Sequence, residues 1–433
     1  MITATVLLLL VIVAALAFEY INGFHDAANA IATVVSTKVL TPRKAILCAA
    51  VFNFFGAFFG THVAKTIGAD IVDKMAVSQE VIICALLGAI VWNLITWVFG
   101  IPSSSSHALI GGLLGAAVVH SGFGVVHAKG LISKVIIPMF ASPLIGFLAG
   151  FVVMLTLLWI FAKASPERIN KKFKVLQLFS AGVMAFSHGS NDAQKTMGII
   201  TLSLLTYWMA TLGHPGPNDF CVTAVPIDGF VTVELNDFVE GDADFTKFEK
   251  DVAYVLSAKA GDDDAVKVEF TYKNGDFMFA AGSDATVGAD GSTITFTHPS
   301  MKTGEEYTIM LKARKFAIPI WVIFICALTM GLGTAVGGWK IIRTLGHKMI
   351  KLKPIHGFAA ETTAASTILT CSCLGIPVST THIIATAIMG VGSTIRFSAV
   401  KWGIVGNIVL AWFLTIPVSA VISAVLYKLF VWE

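Results

Sequence analysis

Long apolar runs dominate the chain, and its polar positions gather in a few places. Runs able to cross about 30 Å of hydrocarbon fall near 4–36, 45–66, 80–100, 103–121 and 134–161. After the polar loop AKASPERINKKFKVL they resume near 176–206, 317–340, 355–374, 377–394 and 401–430. Ten segments of this kind predict an all-α polytopic membrane protein. The stretch 213–316 is different. VTVELNDF, AVKVEFTY, STITFTH and EEYTIMLK alternate with the period of half-buried strands, and NGD, GSD and ADGS supply turns between them. About 100 residues in this pattern predict a small β-sandwich. The first run, MITATVLLLLVIVAALAFEY, has no basic leader and flows into INGFHDAANA, so it reads as a retained span.

Composition sharpens this picture. The chain is 56% hydrophobic and only 13% charged, against about 25% charged in soluble domains. Of its 27 acidic residues, 18 fall between Asp219 and Glu306, so an acidic insert interrupts an apolar body. A net charge of +3 gives no reason to expect nucleic acid as a partner; the lipid bilayer is the partner that the composition demands. Lysine and arginine concentrate at Lys38/Arg43/Lys44, Lys163–Lys174 and Lys340–Lys353. The positive-inside rule puts these loops in the cytoplasm of a cell inner (plasma) membrane, with both termini and the insert extracytoplasmic. Lys65, Lys74, Lys129 and Lys134 run against that orientation. The six cysteines show no metal or disulfide spacing beyond the close pair Cys371 and Cys373, and Asp262–Asp264 reads better as a solvated turn than as a cation loop.

The apolar body repeats itself. NGFHDAANAIATVVS at 22–36 is matched by HGSNDAQKTMGIITLS at 188–203, and GIPSSSSHALIGG at 100–112 by GIPVSTTHIIATAIMG at 375–390. Asp26 precedes Pro102 by 76 residues; Asp192 precedes Pro377 by 81 once the insert is set aside. A duplication of about 5+5 segments follows: repeat 1 at 1–162, the start of repeat 2 at 163–212, the insert at 213–316 and the rest of repeat 2 at 317–433. An odd number of segments per half makes the halves face opposite ways. Inverted repeats with broken or re-entrant helices typify secondary transporters, whose sites lie at the repeat interface.

The repeated motifs carry the chemistry. Acids inside a membrane default to function, and four are present: Glu19, Asp26, Asp192 and Glu361. Packing is a competing role, strongest for Glu19 and Glu361. Asn29, Asn191 and Gln194 add amide oxygens, completing a hard oxygen set suited to small cations. Gly-Ile-Pro breaks a helix, and the Ser/Thr cluster after it can open the next one. A helix N-terminus with hydroxyls, Ser104, Ser105 and Ser106 or Ser379, Thr380 and Thr381, is an anion site, unless the hydroxyls serve only as caps. His25, His107, His188 and His382 could relay protons or simply pack. Lys195 stands where the first half has Asn29, and its ammonium can meet an anion or replace a bound cation.

Together these motifs resemble the inorganic phosphate transporter (PiT) family, most of all its bacterial low-affinity permeases, over roughly 1–212 and 317–433. The resemblance implies phosphate as substrate. It gives Asp26, Asn29, Asn191 and Asp192 to cation coupling and phosphate binding, and Ser104, Ser106, Ser379 and Thr381 to the phosphate. Glu361 matches a family glutamate whose first-half counterpart is Asn53 here. His25 and Lys195 replace asparagines of sodium-coupled members, which favours co-transported protons over sodium. The permeases also imply neutral divalent metal–phosphate as cargo. No resident cofactor or metal is expected, and a homo-oligomer is left open. A channel needs no duplicated broken helices, and a membrane enzyme acting on phosphate compounds needs a nucleophile–base pair or a metal cluster that the sequence lacks. The physics of charge also points to symport: phosphate and carboxylates repel at low dielectric, and an inside-negative potential opposes anion entry.

Overall fold

Helices form where the apolar runs predict them, and glycine–proline pairs decide where they stop. We describe a computed structural model covering residues 4–69, 72, 77–211, eight strands between 219 and 313, and 318–431. The first half comprises α1 (Ala4–Ser36), α2 (Pro42–Gly56), α3 (His62–Ala69), α4 (Gln79–Phe99) and α5 (Ser105–Ser121). The short α6 (Ala128–Leu131) then runs through a π-helical turn into α7 (Ile137–Ile160). The second half comprises α8 (Pro166–Thr211), α9 (Ile320–Val336), α10 (Trp339–Arg343), α11 (Pro354–Cys373), α12 (Thr380–Ser393) and α13 (Trp402–Phe430).

Ten uniform spans are not what these helices provide. Among the described residues, four are long and apolar enough to cross a membrane: α1, α4, the continuous 128–160 helix and α13. The pair α9–α10, bent by 61°, passes the same test only when its two pieces are taken together, as one broken span or a re-entrant loop. The other runs are shorter or more polar. The run at 45–66 breaks into α2 and α3 around Gly60, whose φ of +85° a residue with a Cβ adopts only under strain. The α4–α5 and α11–α12 breaks share one construction. Gly100 and Gly375 both sit at φ +66°. Ile101 N–H returns to Thr96 O, and Ile376 N–H to Cys371 O, each at 2.9 Å. This ending satisfies the last carbonyls of the preceding helix. Pro102 and Pro377, lacking an N–H, prevent its continuation, and Ser104 and Ser379 then cap α5 and α12.

Burial separates wall from centre. Leu9, Leu10 and Val13 on α1, Ile145, Leu148 and Val152 on α7, and Val421 and Val425 on α13 are exposed. Such wide apolar faces are what lipid covers. By contrast, every residue from Asn22 to Val34 on α1 and from Ser187 to Leu204 on α8 is buried. These two helices are the core of the apolar body, and they carry the first repeated motif. Packing crosses between halves: α1 lies on α9, α5 on α13 and α12 on α7. α8 meets α2 so closely that a Cβ on Gly189 would stand 2.2 Å from Asn53 O.

The chain forms two compact units, 1–206 with 317–433, and 207–316. In the second, β1 (Asp219–Ala224), β2 (Phe230–Glu234), β3 (Ala253–Lys259), β4 (Val266–Lys273), β5 (Asp276–Phe279), β6 (Ala285–Val287), β7 (Thr293–Thr297) and β8 (Tyr307–Ala313) pair antiparallel. Their orders are β1-β8-β3-β4-β5 and β2-β7-β6. β2, β4, β7 and β8 fall on the four alternating stretches read from the sequence. Asp262–Asp264 lie outside the described residues.

Candidate functional site

The starts of α5 and α12 meet the middles of α1 and α8. Asp26 Oδ1 is 2.7 Å from His25 Nδ1 and accepts from Thr381 Oγ1 at 3.5 Å, while its Oδ2 accepts from Ser105 Oγ at 3.2 Å. Asp192 Oδ1 accepts from Lys195 Nζ, and its Oδ2 from Thr380 Oγ1 at 3.1 Å. Lys195 also donates to Ser106 Oγ and, at 3.3 Å, to Val378 O. Asn29 Nδ2 donates to Thr380 Oγ1 at 3.3 Å and Thr381 Oγ1 at 2.9 Å. Asn191 Nδ2 donates to Val378 O at 3.1 Å. All of these side chains are buried.

The cluster can hold charge of either sign. Asp26, His188 and Asp192 each offer one ligand atom, and the three atoms lie within 4.8 Å of one another. His188 Nε2 approaches Asp192 Oδ2 at 3.0 Å without hydrogen-bond alignment. Asn29 Oδ1 and Asn191 Oδ1 have no donor, so amide oxygens as well as carboxylates are left to accept or ligate. Two carboxylates and one nitrogen suit a hard or borderline cation. The Lys195 ammonium and the tip hydroxyls suit an anion.

Not every expected residue joins this cluster. Ser104 and Ser379 Oγ accept the backbone N–H of His107 and His382, at 3.3 and 3.2 Å, which makes them N-caps. Gln194 spends its amide on backbone: Oε1 accepts from Val63 N at 2.9 Å and Ala64 N at 3.4 Å, and Nε2 donates to Phe59 and Ser190 carbonyls. It steadies the start of α3 and is not a ligand in this arrangement. Glu361 sits apart, accepting from Thr33 Oγ1 at 2.5 Å, Gln177 Nε2 at 3.0 Å and Ser180 Oγ. Asn53, on α2, donates instead to Thr334 Oγ1 at 2.9 Å. His107 and His382 stack edge to face at 4.9 Å, with both nitrogens of His382 unpartnered.

Several contributors carry no motif. Trp412 on α13 donates to Pro102 O at 3.1 Å and stacks on His382 at 4.0 Å, bracing both breaks at once. Thr96 hydrogen-bonds His25 Nε2 at 3.0 Å and accepts from Ser103 at 2.9 Å. One signal was available in the sequence: Glu19, Asn22, Asp26, Asn29, Thr33 and Thr37 recur every three or four residues, a polar stripe along one face of α1.

The profile of the phosphate transporter family (PHO4) matches residues 22–167 and 161–423. The chain belongs to this family. It is 39% identical over 422 residues to a "Probable low-affinity inorganic phosphate transporter" of Rhizobium meliloti, covering 97% of this chain and 96% of that one. A protein of the same description from Bacillus subtilis is 38% identical, covering 98% and 96%. The family members it resembles are transporters, not enzymes. Its fold is that of a solved structure described as "The sodium-dependent phosphate transporter", at TM-score 0.69 and 21% identity, with 98% of each chain covered.

Proposed function

We propose that this chain is a secondary transporter importing inorganic phosphate with protons, alone or as a divalent metal–phosphate complex. One observation carries the reading: the two α1/α8 acids and the two broken-helix starts converge, with Lys195 bridging Asp192 to Ser106 and Thr380/Thr381 reaching Asp192 and Asp26. Phosphate would sit against Lys195, Ser105, Ser106, Thr380 and Thr381. The co-transported cation, or the metal of the complex, would sit on Asp26, His188 and Asp192. Two carboxylates outnumber the one fixed ammonium, so an incoming anion requires added positive charge. His25 and Lys195 supply nitrogen where sodium would want oxygen.

The architecture proposed with it is an inverted repeat. The matched Gly100/Gly375 turns, the matched caps and the crosswise packing of α5 on α13 and α12 on α7 support it. Each broken pair is then a re-entrant hairpin, and alternating access moves the halves about α1 and α8. The basic loops support extracytoplasmic termini and insert. The two sheets support a β-sandwich for the insert.

Phosphate uptake into proteoliposomes, under an imposed acid-outside gradient with choline replacing sodium, tests the coupling. Uptake should persist and rise as external pH falls. A rate that collapses in choline would replace this reading with sodium–phosphate symport, the alternative suggested by the sodium-dependent transporter of similar fold.

A further inference from the structure

Glu19 lies two turns from Asp26 on the N-terminal side, about 10 Å along the axis, and takes no part in the cluster above. It is fully buried. Its Oε2 accepts from one donor, the Thr196 hydroxyl, and its Oε1 has none. Asn22, one turn along α1, sets its amide against this carboxylate, and Asn22 Oδ1 also lacks a donor. A buried carboxylate oxygen and a buried amide oxygen without donors are unusual, because buried polar atoms are nearly always satisfied. Glu361 shows the contrast: it is equally buried, but three side chains donate to it, so both of its oxygens are already hydrogen-bonded.

The charged neighbours of Glu19 do not resolve its position. Lys195 and Asp192 on α8 face it and are paired to each other, so together they add almost no net charge. Cys326 faces it from α9. A lone carboxylate there has no fixed partner, and such a charge is costly unless something neutralises it. A single proton on Oε1 would neutralise the group. Glu19 also lacks a repeat counterpart, since seven residues before Asp192 stands Ala185. The duplicated motif therefore builds a two-sided cradle, while Glu19 is singular.

We propose that Glu19, with Asn22 and Thr196, is a proton-binding site separate from the Asp26–Asp192 pair, and that its proton is one that travels with the substrate; this rests on the proton-symport reading. On loading, the carboxylate takes up one proton to become a carboxylic acid, and on release the proton leaves from the same oxygen. No other bond changes.

Two measurements on the purified full chain test it. Infrared difference spectroscopy of Glu19→Gln against the parent should show loss of a protonated carboxyl C=O band at neutral pH. In proteoliposomes, phosphate accumulation under a gradient of one pH unit should fall about tenfold, the share contributed by one coupled proton. Phosphate-for-phosphate exchange at equal pH, which needs no net proton movement, should fall much less. Thr196→Val, which removes the hydroxyl donor to Glu19, provides a second variant should Glu19→Gln not fold; it should keep the band, shifted in frequency. An unchanged spectrum, or undiminished pH-driven accumulation in a parent that is pH-driven, overturns the site alone. A parent driven only by sodium overturns both this site and the reading beneath it.

Discussion

Asn29 and Lys195, which occupy the same place in the two copies of the motif, each reach across to the opposite half. Asn29 on α1 donates to Thr380 and Thr381 at the start of α12, and Lys195 on α8 donates to Ser106 near the start of α5. The relation is symmetric in geometry and asymmetric in charge. One side of the cradle is held by a neutral amide and the other by an ammonium, so the duplication fixes position while the difference between its copies fixes polarity.

Lys195→Met should abolish phosphate uptake and lower stability, because Asp192 would keep its burial and lose its charge partner. Breaking a buried pair in this way costs about 3–5 kcal/mol. Uptake together with thermal unfolding in detergent checks both parts. Lys195→Arg, which keeps the charge with a bulkier head, should recover stability more than uptake.

Asp26→Asn and Asp192→Asn should each eliminate gradient-driven uptake while the protein stays monodisperse. Each swap preserves shape and removes one carboxylate from the three-residue group with His188. Wild-type rates in either variant would remove that residue from the transport site.

The hydroxyls of the two breaks should divide by role. Ser104→Ala and Ser379→Ala remove N-caps and should cost about 0.5–2 kcal/mol of stability each. Ser105→Ala and Thr381→Val remove donors to Asp26 and should weaken uptake with a smaller thermal effect. Parallel melting and uptake curves on the four variants would show whether the two effects separate.

Gly189→Ala should be poorly tolerated, since the added carbon would stand 2.2 Å from Asn53 O on the facing helix. Overpacking of this kind costs about 1–3 kcal/mol, and here the obstacle is backbone that cannot rotate away. Expression yield and melting temperature are the measurements.

Replacing 218–312 with a Gly/Ser linker should preserve uptake, because every residue of the cradle lies in the unit formed by 1–206 and 317–433. Loss of transport in a well-folded deletion would assign the insert a part in substrate capture or gating.

Much of this organisation is legible in the sequence because it depends on local chemistry. The run at 4–36 became Ala4–Ser36, and Gly-Ile-Pro followed by hydroxyl residues became a break and a capped restart. What stays hidden depends on distant contacts. Glu361 finds its donors on α1 and α8, from Thr33, Gln177 and Ser180, three residues that no spacing relates to it. Gln194 sits inside a signature yet serves a helix start some 130 positions earlier. Trp412 is one tryptophan in an apolar run until the fold sets it against Pro102 and His382. The break between α2 and α3 contains no proline, so the hydrophobic run concealed it.

The all-round burial of α8 between Ser187 and Leu204 also bears on how the protein is made. Asn191, Asp192, Gln194 and Lys195 leave that stretch no face for lipid, and charged residues at a helix centre cost about 2.5–3.5 kcal/mol each during insertion. Such a helix cannot leave the translocation machinery for the bilayer by its own affinity. In the first half α3 receives Gln194 and α5 receives Lys195, so the first half should act as an internal chaperone for the second. Synthesised alone, 166–433 should stall at the membrane and be degraded, whereas co-expression with 1–165 should rescue it.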